Sequence, residues 1–362
     1  MNLELNNSEW LESRLSLPPV TLRLSAWGSG LVAASRVDAI IEATWENQSV
    51  RFIAEIKGRS IPKVLREATI QAQVMASPPE TYPMVIVPYL SADKLEQLEA
   101  NGVSGVDLCG NGILAVPGKL LVFRSGKPNQ FPESPKLKNT YRGMISLVAR
   151  AFLIQPQFSM VKEIVELLDR RGACVAISTV SKALKRLEDD LVVSRECDKI
   201  RLIQPDTLLD KLAANYESPR VRTRFQGKCG LPTDEMARRF ATAITSQKEK
   251  VALTGAASVE KYAVAAREPS LSIYTTLRPL DLLDSSSMDA SETSRFANLE
   301  IIQTDDARVF CDRRNEDGVP YASPVQTYLE LATGDKRQRD AAKQVRQGIL
   351  ASLERSGDDG RP

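Results

Sequence analysis

The segment RVDAIIEATWENQSVRFIAEIK (36–57) decides the fold of the first third of the chain. Two β-rich runs flank a few polar turn residues, a pattern that predicts an antiparallel hairpin. A turn centred just after Asn47 would place Asp38 opposite Lys57. Because side chains at i and i+2 share a face, Glu55 should point the same way as Lys57 and lie diagonally across from Asp38. Two carboxylates and one ammonium group are therefore expected to converge.

Such a cluster suits metal-assisted phosphodiester hydrolysis. Carboxylates hold Mg²⁺, which polarises the phosphate and lowers the pKa of a bound water. A lysine can orient or deprotonate the nucleophile, or neutralise charge in the transition state. Acidic and basic residues also alternate on many exposed strands, so a fold without catalysis is the alternative.

The same residues resemble the PD-(D/E)XK nuclease superfamily, with Asp38 as the first acid and Glu55-Ile56-Lys57 as the E-x-K. The resemblance implies an α/β domain in which Asp38 and Glu55 bind Mg²⁺ or Mn²⁺. It also implies a catalytic role for Lys57, and for Gln71 in the helix that follows. An upstream carboxylate, Glu9 or Glu12, is a further candidate metal ligand.

The amino-acid composition excludes several classes of enzyme and metal site. The chain has 362 residues and no histidine, which excludes Ser-His-Asp hydrolases, HEXXH proteases and histidine-dependent nucleases. Its five cysteines are scattered without a CxxC pair, as expected in a reducing compartment and without a zinc site. No stretch approaches the roughly 18 apolar residues of a membrane span, and the N-terminus is unlike a signal peptide. We expect a cytoplasmic protein.

The segment from 144 to 203 predicts a DNA-binding module. MISLVARAFLIQP (144–156) is expected to form an amphipathic helix, and FSMVKEIVELLDRRG (158–172) a second helix with Ser159 as its N-cap and Gly172 as its end. A third helix, ISTVSKALKRLEDDLVV, and the β-ribbon VVSRECDKIRLI complete the pattern of a winged helix. The expected DNA-facing residues lie on the third helix and the ribbon: Ser178, Thr179, Ser181, Lys182, Lys185, Arg186, Arg195 and Lys199.

Two basic runs flank this module, at 124–150 and 218–250. They favour DNA as a partner, although solvated linker charge is an equal alternative for each run. Winged helices also mediate protein contacts, and three acidic residues partly offset the positive face of the third helix: Glu188, Asp189 and Asp190.

Two parts of the chain resemble AbiEi-type antitoxins of type IV toxin-antitoxin systems. One is the segment VPYLSADKLEQLEANGVSGVDLCGN (87–111) of the first domain, and the other is the C-terminal part, which carries "L-T-G" (253–255) and "S-P-x-Q-x-Y-L-x-L" (323–331). The resemblance implies a nucleotidyltransferase-like α/β domain in which VALTGAASVEKYAV (251–264) is a strand, a turn and a helix. ANLEIIQTDDARVFCD (297–312) is expected to supply two strands around a turn at Asp305 and Asp306.

Two further segments are not expected to be catalytic, one in this domain and one in the nuclease-like domain. LSIYTTL (271–277) has no carboxylate to hold Mg²⁺, so we expect a scaffold or partner-binding surface there. Asp107, in "D-L-x-G-N", is expected to cap a turn, with a functional role as the alternative.

We therefore expect an α/β multidomain protein. The predicted parts are a nuclease-like domain (1–125), a basic linker with a winged helix-turn-helix (126–216), a nucleotidyltransferase-like domain (217–353) and a disordered tail (354–362). Two functions remain open. One is a Mg²⁺-dependent DNA endonuclease aimed by the winged helix, in phage or mobile-element defence. The alternative is a non-catalytic regulator or antitoxin. Expected partners are DNA, a toxin or defence protein, and a second copy of the chain.

Overall fold

The computed structural model describes residues 8–27, 37–131, 139–196, 198–244, 249–264 and 269–358. The chain divides into two compact units, residues 1–137 and residues 138–362. Within the described ranges, no helix is both long and apolar enough to cross a membrane.

Unit 1 is built on a mixed β-sheet. In the described residues its strands are β1 (Thr21–Trp27), β2 (Ala39–Trp45), β3 (Gln48–Ile56), β4 (Tyr82–Val87), β5 (Ser104–Asp107), β6 (Gly112–Val116) and β7 (Leu120–Arg124). They lie side by side in chain order, and β3, β4 and β5 run parallel while the other neighbours are antiparallel. The helices are α1 (Ser8–Arg14), α2 (Pro62–Met75) and α3 (Ala92–Ala100).

Helices cover both faces of this sheet. Leu11 of α1 is fully buried in a cluster with Phe52 and Met84. On the opposite face, Leu65 of α2 and Leu95 of α3 pack against other strand residues. This second face carries Glu55, because residues 53 and 55 alternate with the residues that face α1.

The hairpin register differs from the predicted one. Trp45 pairs with Gln48 and Ala39 pairs with Ala54, so the turn is centred before Asn47 and Asp38 comes opposite Glu55. The predicted pairing of Asp38 with Lys57 is therefore wrong by two residues. A shift of two residues leaves every side chain on its predicted face, which is why the three charged groups still converge.

Unit 2 begins with a three-helix module (residues 143–202). After a 3₁₀ turn at Gly143–Ile145 come α4 (Ser146–Ile154), β8 (Gln157–Phe158), α5 (Val161–Arg170), α6 (Ile177–Asp189), β9 (Val193–Glu196) and β10 (Lys199–Leu202). The three strands form a small sheet in the order β8-β10-β9. The helices and the ribbon thus occur where the sequence predicts them.

Both ends of α5 can be compared with the prediction. Gly172 ends the helix as expected, with φ at 86°, and the Ala173 amide donates to the Leu168 carbonyl oxygen in a Schellman arrangement. The predicted N-cap is wrong by one residue, because the helix begins at Val161 with Met160 as its cap. The Ser159 amide instead donates to the Glu163 carboxylate at 2.8 Å.

The rest of unit 2 is a second mixed sheet with helices. In the described residues its elements are α7 (Pro205–Ala214), β11 (Thr223–Cys229), α8 (Thr233–Thr242), β12 (Val251–Thr254), α9 (Ala256–Tyr262), β13 (Leu271–Thr275), α10 (Pro279–Ser285), β14 (Ala290–Glu292), β15 (Leu299–Gln303), α11 (Ala307–Phe310), β16 (Arg314–Glu316), β17 (Val319–Tyr321), α12 (Pro324–Ala332) and α13 (Lys336–Asp358). The strand order is β14-β11-β15-β13-β12-β17-β16.

The second strand that was predicted within 297–312 is absent from this described segment. After β15 the chain forms the short helix α11, and Asp306 accepts a hydrogen bond from the Arg308 amide as its N-cap. A segment as short as residues 307–310 has too little periodicity to distinguish a helix from a strand, so the cap decides the outcome.

The three-helix module shares its core with the C-terminal helices. Phe152 of α4 belongs to the same buried cluster as Leu329 of α12 and Ile349 of α13. Residues 146–153 are buried on all sides, so the prediction of an amphipathic first helix is wrong. The structure also places no break between 126–216 and 217–353, because residues 138–362 form one compact unit.

Candidate functional sites

The charged cluster of unit 1 lies where β3 ends. The Lys57 ammonium group is 2.7 Å from Glu55 Oε2 and 3.7 Å from Asp38 Oδ2. Asp38 Oδ2 also accepts the Ile56 amide hydrogen at 2.9 Å, which fixes it across the strand ends. Glu55 is 4% exposed, whereas the Asp38 side chain is 42% exposed. The cluster therefore has one buried carboxylate and one carboxylate open to solvent.

Burial raises the pKa of Glu55, and the nearby negative charge of Asp38 adds to this effect, while the Lys57 hydrogen bond works against both. Mg²⁺ usually takes one or two carboxylates and keeps several waters, so the donor set of Asp38 and Glu55 fits this cation. No group of three or more His, Cys, Asp or Glu residues able to hold a metal occurs in the described part of the chain.

The other predicted residues of unit 1 lie outside this cluster. Gln71 is exposed on α2 and makes no hydrogen bond to any of the three charged groups in the described residues. Glu9 is exposed on α1. Glu12 accepts the Leu24 amide hydrogen at 3.2 Å, which ties α1 to β1.

Asp107 has the structural role that was expected. Its carboxylate is fully buried and accepts four hydrogen bonds, from the amides of Leu90, Cys109 and Asn111 and from the Asn111 side chain, at 2.7 to 2.9 Å. The Asn111 side chain continues the network to the Lys127 backbone. With both oxygens engaged, this carboxylate closes the turn between β5 and β6.

In unit 2, α6 presents a polar face opposite its buried side. Val180, Ala183, Leu184 and Leu187 are buried, as the sequence predicts. The exposed residues of the opposite face include Ser178, Ser181, Lys182 and Lys185, with Thr179 half-buried beside them. The Ser181 hydroxyl donates to the Ile177 carbonyl oxygen and keeps its lone pairs available.

The hairpin β9–β10 lies next to this helix along the chain. Arg195 and Lys199 are both exposed on it, as predicted. Lys199 is cross-strand from Glu196, so part of its charge is offset. The exposed Arg201, which was not singled out from the sequence, adds a third cation to the same hairpin.

Arg186 has an internal partner. Its guanidinium lies 3.3 Å from the carboxylate of Asp190, which is 5% exposed and also accepts the Tyr141 hydroxyl hydrogen at 2.7 Å. Burial, followed by the adjacent negative charge of Asp190, raises the pKa of Tyr141. Arg186 therefore helps to neutralise a buried carboxylate, and its predicted role on DNA stays a prediction.

Several cations of the two basic runs are buried or paired within the fold. In the first, Arg150 is buried and Arg142 pairs with Glu217; Lys136 and Lys138 lie outside the described residues. In the second, Arg222 pairs with Asp305, Arg224 with Glu300, and Arg239 with Glu235. These runs therefore contribute less surface charge than the sequence suggested.

The glycine turn of the second sheet follows β12. Gly255 has φ at 58°, and the strand β13 beside it carries no carboxylate. The neighbouring carboxylate Glu300 on β15 accepts the Ser272 hydroxyl hydrogen and pairs with Arg224. This carboxylate is therefore engaged in the sheet.

Residues 201–351 match the family model of the transcriptional regulator, AbiEi antitoxin, of type IV toxin-antitoxin systems. The resemblance predicted for this part of the chain is confirmed over that range. Neither the curated proteins nor the solved structures contained a significant match. The matched range, called the AbiEi-like segment below, supports a regulator or antitoxin role.

The AbiEi-like segment contacts the helices that precede it. The buried guanidinium of Arg150 in α4 donates to Gln326 Oε1 of α12 at 2.8 Å and to the Arg308 carbonyl oxygen at 3.3 Å. Arg171, just after α5, lies 3.1 Å from Asp312. The sequence analysis did not identify these residues. The arginine within the apolar run LVARAFLI could have indicated a buried charge, which must have a polar partner.

Proposed function

We propose that this chain is a DNA-binding transcriptional regulator of the antitoxin type. The match of residues 201–351 to antitoxin regulators supports the class. The exposed polar face of α6, which carries Lys182 and Lys185 opposite a buried apolar stripe, is the observation that carries the DNA contact. The AbiEi-like segment then provides the surface for a partner toxin.

The order of elements in the three-helix module supports a winged helix as its fold. In that fold the third helix enters the major groove, and the ribbon lies along the backbone. Ser178 and Ser181 can donate to or accept from base edges or phosphates. Lys182 and Lys185, together with Arg195 on the ribbon, supply the phosphate contacts.

Replacing both lysines tests this proposal. Lys182→Ala combined with Lys185→Ala should weaken DNA binding and lower the slope of log K against log salt by about one to two units, since each phosphate contact releases about one counterion. The measurement is fluorescence anisotropy on a DNA fragment that covers the chain's own promoter, at several salt concentrations.

A matched control is the pair Lys336→Ala and Lys343→Ala, two exposed lysines of α13. This variant should bind with the parental slope. If the α6 variant binds DNA with unchanged affinity and slope, and circular dichroism shows that it is folded, α6 is not in the interface.

A second candidate function is metal-dependent cleavage of DNA by unit 1. The observation in its favour is the contact of Lys57 with both Asp38 and Glu55, at 3.7 and 2.7 Å. Asp38 and Glu55 would hold Mg²⁺ or Mn²⁺, and the bound cation supplies polarisation of a phosphate oxygen and a more acidic water. Lys57 stays within reach of both carboxylates and can neutralise charge that develops on the phosphate.

Cleavage assays decide this candidate. With Mn²⁺ or Mg²⁺, and not with Ca²⁺, the protein should cut single- or double-stranded DNA. Asp38→Ala, Glu55→Ala and Lys57→Ala should each abolish cutting, with strongly non-additive losses, because the three groups act as one unit. Arg51→Ala, an exposed cation near the other end of β3, should cut normally. If the parental chain cuts no DNA, either alone or together with the proteins encoded by neighbouring genes, catalysis is rejected and the regulator function remains.

A further inference from the structure

A pocket of about 220 Å³ lies between the turn after β12, the helix α9 that follows it, and the helices α12 and α13. Its apolar walls come from Ala256, Val259, Leu331 and Ala341. Its polar side chains include Thr327 and Glu330 of α12 and Arg337 of α13. Apolar walls with a few convergent polar groups are the usual composition of a small-molecule site.

Thr327 is the first sign that this pocket takes a ligand. The residue is 1% exposed, and its hydroxyl has no hydrogen-bond partner among the described residues. A buried hydroxyl without a partner destabilises the folded state. Ser258 in the same pocket differs, because its hydroxyl donates to the Gly255 carbonyl oxygen at 3.0 Å. Of these two hydroxyls, only that of Thr327 is without a hydrogen-bond partner among the described residues.

Glu330 is the second sign. Its Oε1 accepts from Tyr274 and Gln326 at 3.0 and 2.7 Å, and its Oε2 accepts from Thr254 at 2.6 Å. A carboxylate can accept about four hydrogen bonds, so Oε2 keeps one site for a donor. Burial raises the pKa of Glu330 in spite of these three contacts. A ligand amine would therefore stabilise the ionised carboxylate.

Arg337 gives the pocket a second charge of opposite sign. It is exposed in the first turn of α13 and pairs with no carboxylate in the described part of the chain. The site thus offers an acceptor and an unpaired hydroxyl in its interior and a guanidinium at its edge. A complementary ligand donates hydrogen bonds at one end and carries an anionic group at the other.

The pocket is also connected to the three-helix module. The Gln326 side chain donates to Glu330 and accepts from Arg150 of α4, so two hydrogen bonds join the pocket wall to the module. Arg150 is 4% exposed, and α4 packs against both α5 and α6. A change in the position or charge of Glu330 therefore acts through Gln326 on the arginine that anchors α4.

We propose that this pocket binds a small amine-bearing anion, with the amine at Glu330 and Thr327 and the anionic group at Arg337, and that its occupancy is linked to DNA binding by the three-helix module. The linkage rests on the proposed function, whereas the binding site does not. Free amino acids and nucleoside monophosphates with an exocyclic amine share this chemistry.

Calorimetric titration of the full chain tests the site. One series of titrations uses the common L-amino acids and the other uses AMP, CMP and GMP. The series in which binding is seen identifies the class of ligand. We expect one site, and about tenfold weaker binding or more in Thr327→Val, Glu330→Gln and Arg337→Ala, which corresponds to about 1.4 kcal/mol. Arg339→Ala, an exposed cation of α13 outside the pocket, should bind like the parent. Absence of binding in both series at millimolar concentration overturns the proposal, and so does unchanged affinity in Thr327→Val and Arg337→Ala.

A stability measurement separates a ligand site from a packing defect. Thr327→Val removes the unpartnered hydroxyl at nearly constant volume, so the ligand-free variant should melt at or above the parental Tm while it binds the ligand more weakly. A lower Tm shows that the hydroxyl has a partner within the protein, and this result also overturns the proposal.

The linkage is tested by measuring DNA affinity with the pocket empty and saturated. We expect a change of about 5- to 150-fold, and the reciprocal change in ligand affinity when DNA is bound. Gln326→Met, which breaks the path to Arg150, should bring this factor close to one. Thr254→Val, which removes a different hydrogen bond to the same carboxylate, should leave it unchanged. Equal DNA affinities in both states overturn the linkage. If the parental chain binds the ligand but binds no DNA in either state, the proposed function is rejected and the ligand site is retained.

Discussion

Asp306 shows how a single carboxylate can begin a helix and neutralise a buried cation. It accepts from the backbone amide of Arg308 at 3.1 Å and from the Arg308 guanidinium at 2.5 to 3.0 Å. Both side chains are about one-tenth exposed. Burial opposes ionisation of Asp306, but the contacts with Arg308 outweigh it and hold the pKa of Asp306 below its usual value.

Asp306→Asn should lower the free energy of unfolding by about 3 to 5 kcal/mol at pH 7, because it leaves Arg308 as a buried charge without its partner. Asparagine caps a helix as well as aspartate, so the loss reports the ion pair. A carboxylate with a lowered pKa stabilises the fold above its unfolded pKa, here near 3.8, and loses this effect as the pH falls through the folded pKa. Urea unfolding at pH 7 and pH 3 should therefore show a smaller difference at pH 3.

The exposed neighbour Asp305 provides the comparison. Its side chain is 49% exposed and pairs with Arg222 on the surface, so Asp305→Asn should cost less than about 1 kcal/mol. An equal loss in both variants, or a loss in Asp306→Asn that does not change with pH, would contradict the assignment.

Single residues of the site were predictable to different degrees. Asp38, Glu55 and Lys57 could be brought together from the sequence, since strand periodicity fixes faces even when the register is wrong by two. Asp107 could be assigned to a turn from the glycine that follows. Arg150 was counted as surface charge because its partner Gln326 is 176 residues away and leaves no local pattern.

At the scale of elements, the turn between α5 and α6 ends the first helix and leads the chain into α6. Gly172 has φ at 86°, where an L side chain is strained, and an added Cβ would meet only ordinary contacts at 3.7 and 3.9 Å. The cost of a side chain there is therefore backbone strain alone.

Gly172→Ala should destabilise unit 2 by about 1 to 2 kcal/mol through that strain. Gly348→Ala is the matched control, because Gly348 lies within the helix α13 with open space around it. It should stabilise the protein by about 0.5 to 1 kcal/mol. Thermal unfolding of the two variants should thus show opposite shifts in Tm, and shifts of the same sign would refute this account of the turn.

Elements with clear periodicity were predicted well. The buried stripe of α6 and the alternation of β10 follow from spacings of 3.6 and 2 residues. The predictions for two elements were wrong for physical reasons. The helix α4 is buried on all sides by partners distant in sequence, and α11 is too short for periodicity to separate a helix from a strand.

At the scale of the molecule, the shared core of unit 2 determines which fragments can fold. Residues 138–358 should unfold in one cooperative transition, whereas residues 139–216 alone should lack one, because α12 and α13 complete the core of the three-helix module. Residues 1–137 should fold by themselves. Calorimetry and amide hydrogen exchange of the three fragments test this, and a cooperative transition in 139–216 would refute it.

The domain plan was only partly accessible from the sequence. Composition and turn residues placed the first boundary near 125, and the structure places the change of unit after 137. The contacts that join α4 to α13 connect residues about 200 positions apart, and such pairings have no signature in a single sequence. The AbiEi-like character of the second half was recognisable because it rests on short motifs.

The same shared core has a consequence during synthesis of the chain. About 120 residues separate the end of β10 from the start of α12. At roughly 5 to 20 residues per second, the ribosome needs on the order of 6 to 24 s to supply them. Throughout that interval the residues of α4 that pack against α12 and α13 have no partner to cover them. The nascent chain is therefore a candidate client for chaperones, and slow translation of residues 203–323 would lengthen the period in which it can aggregate or be degraded.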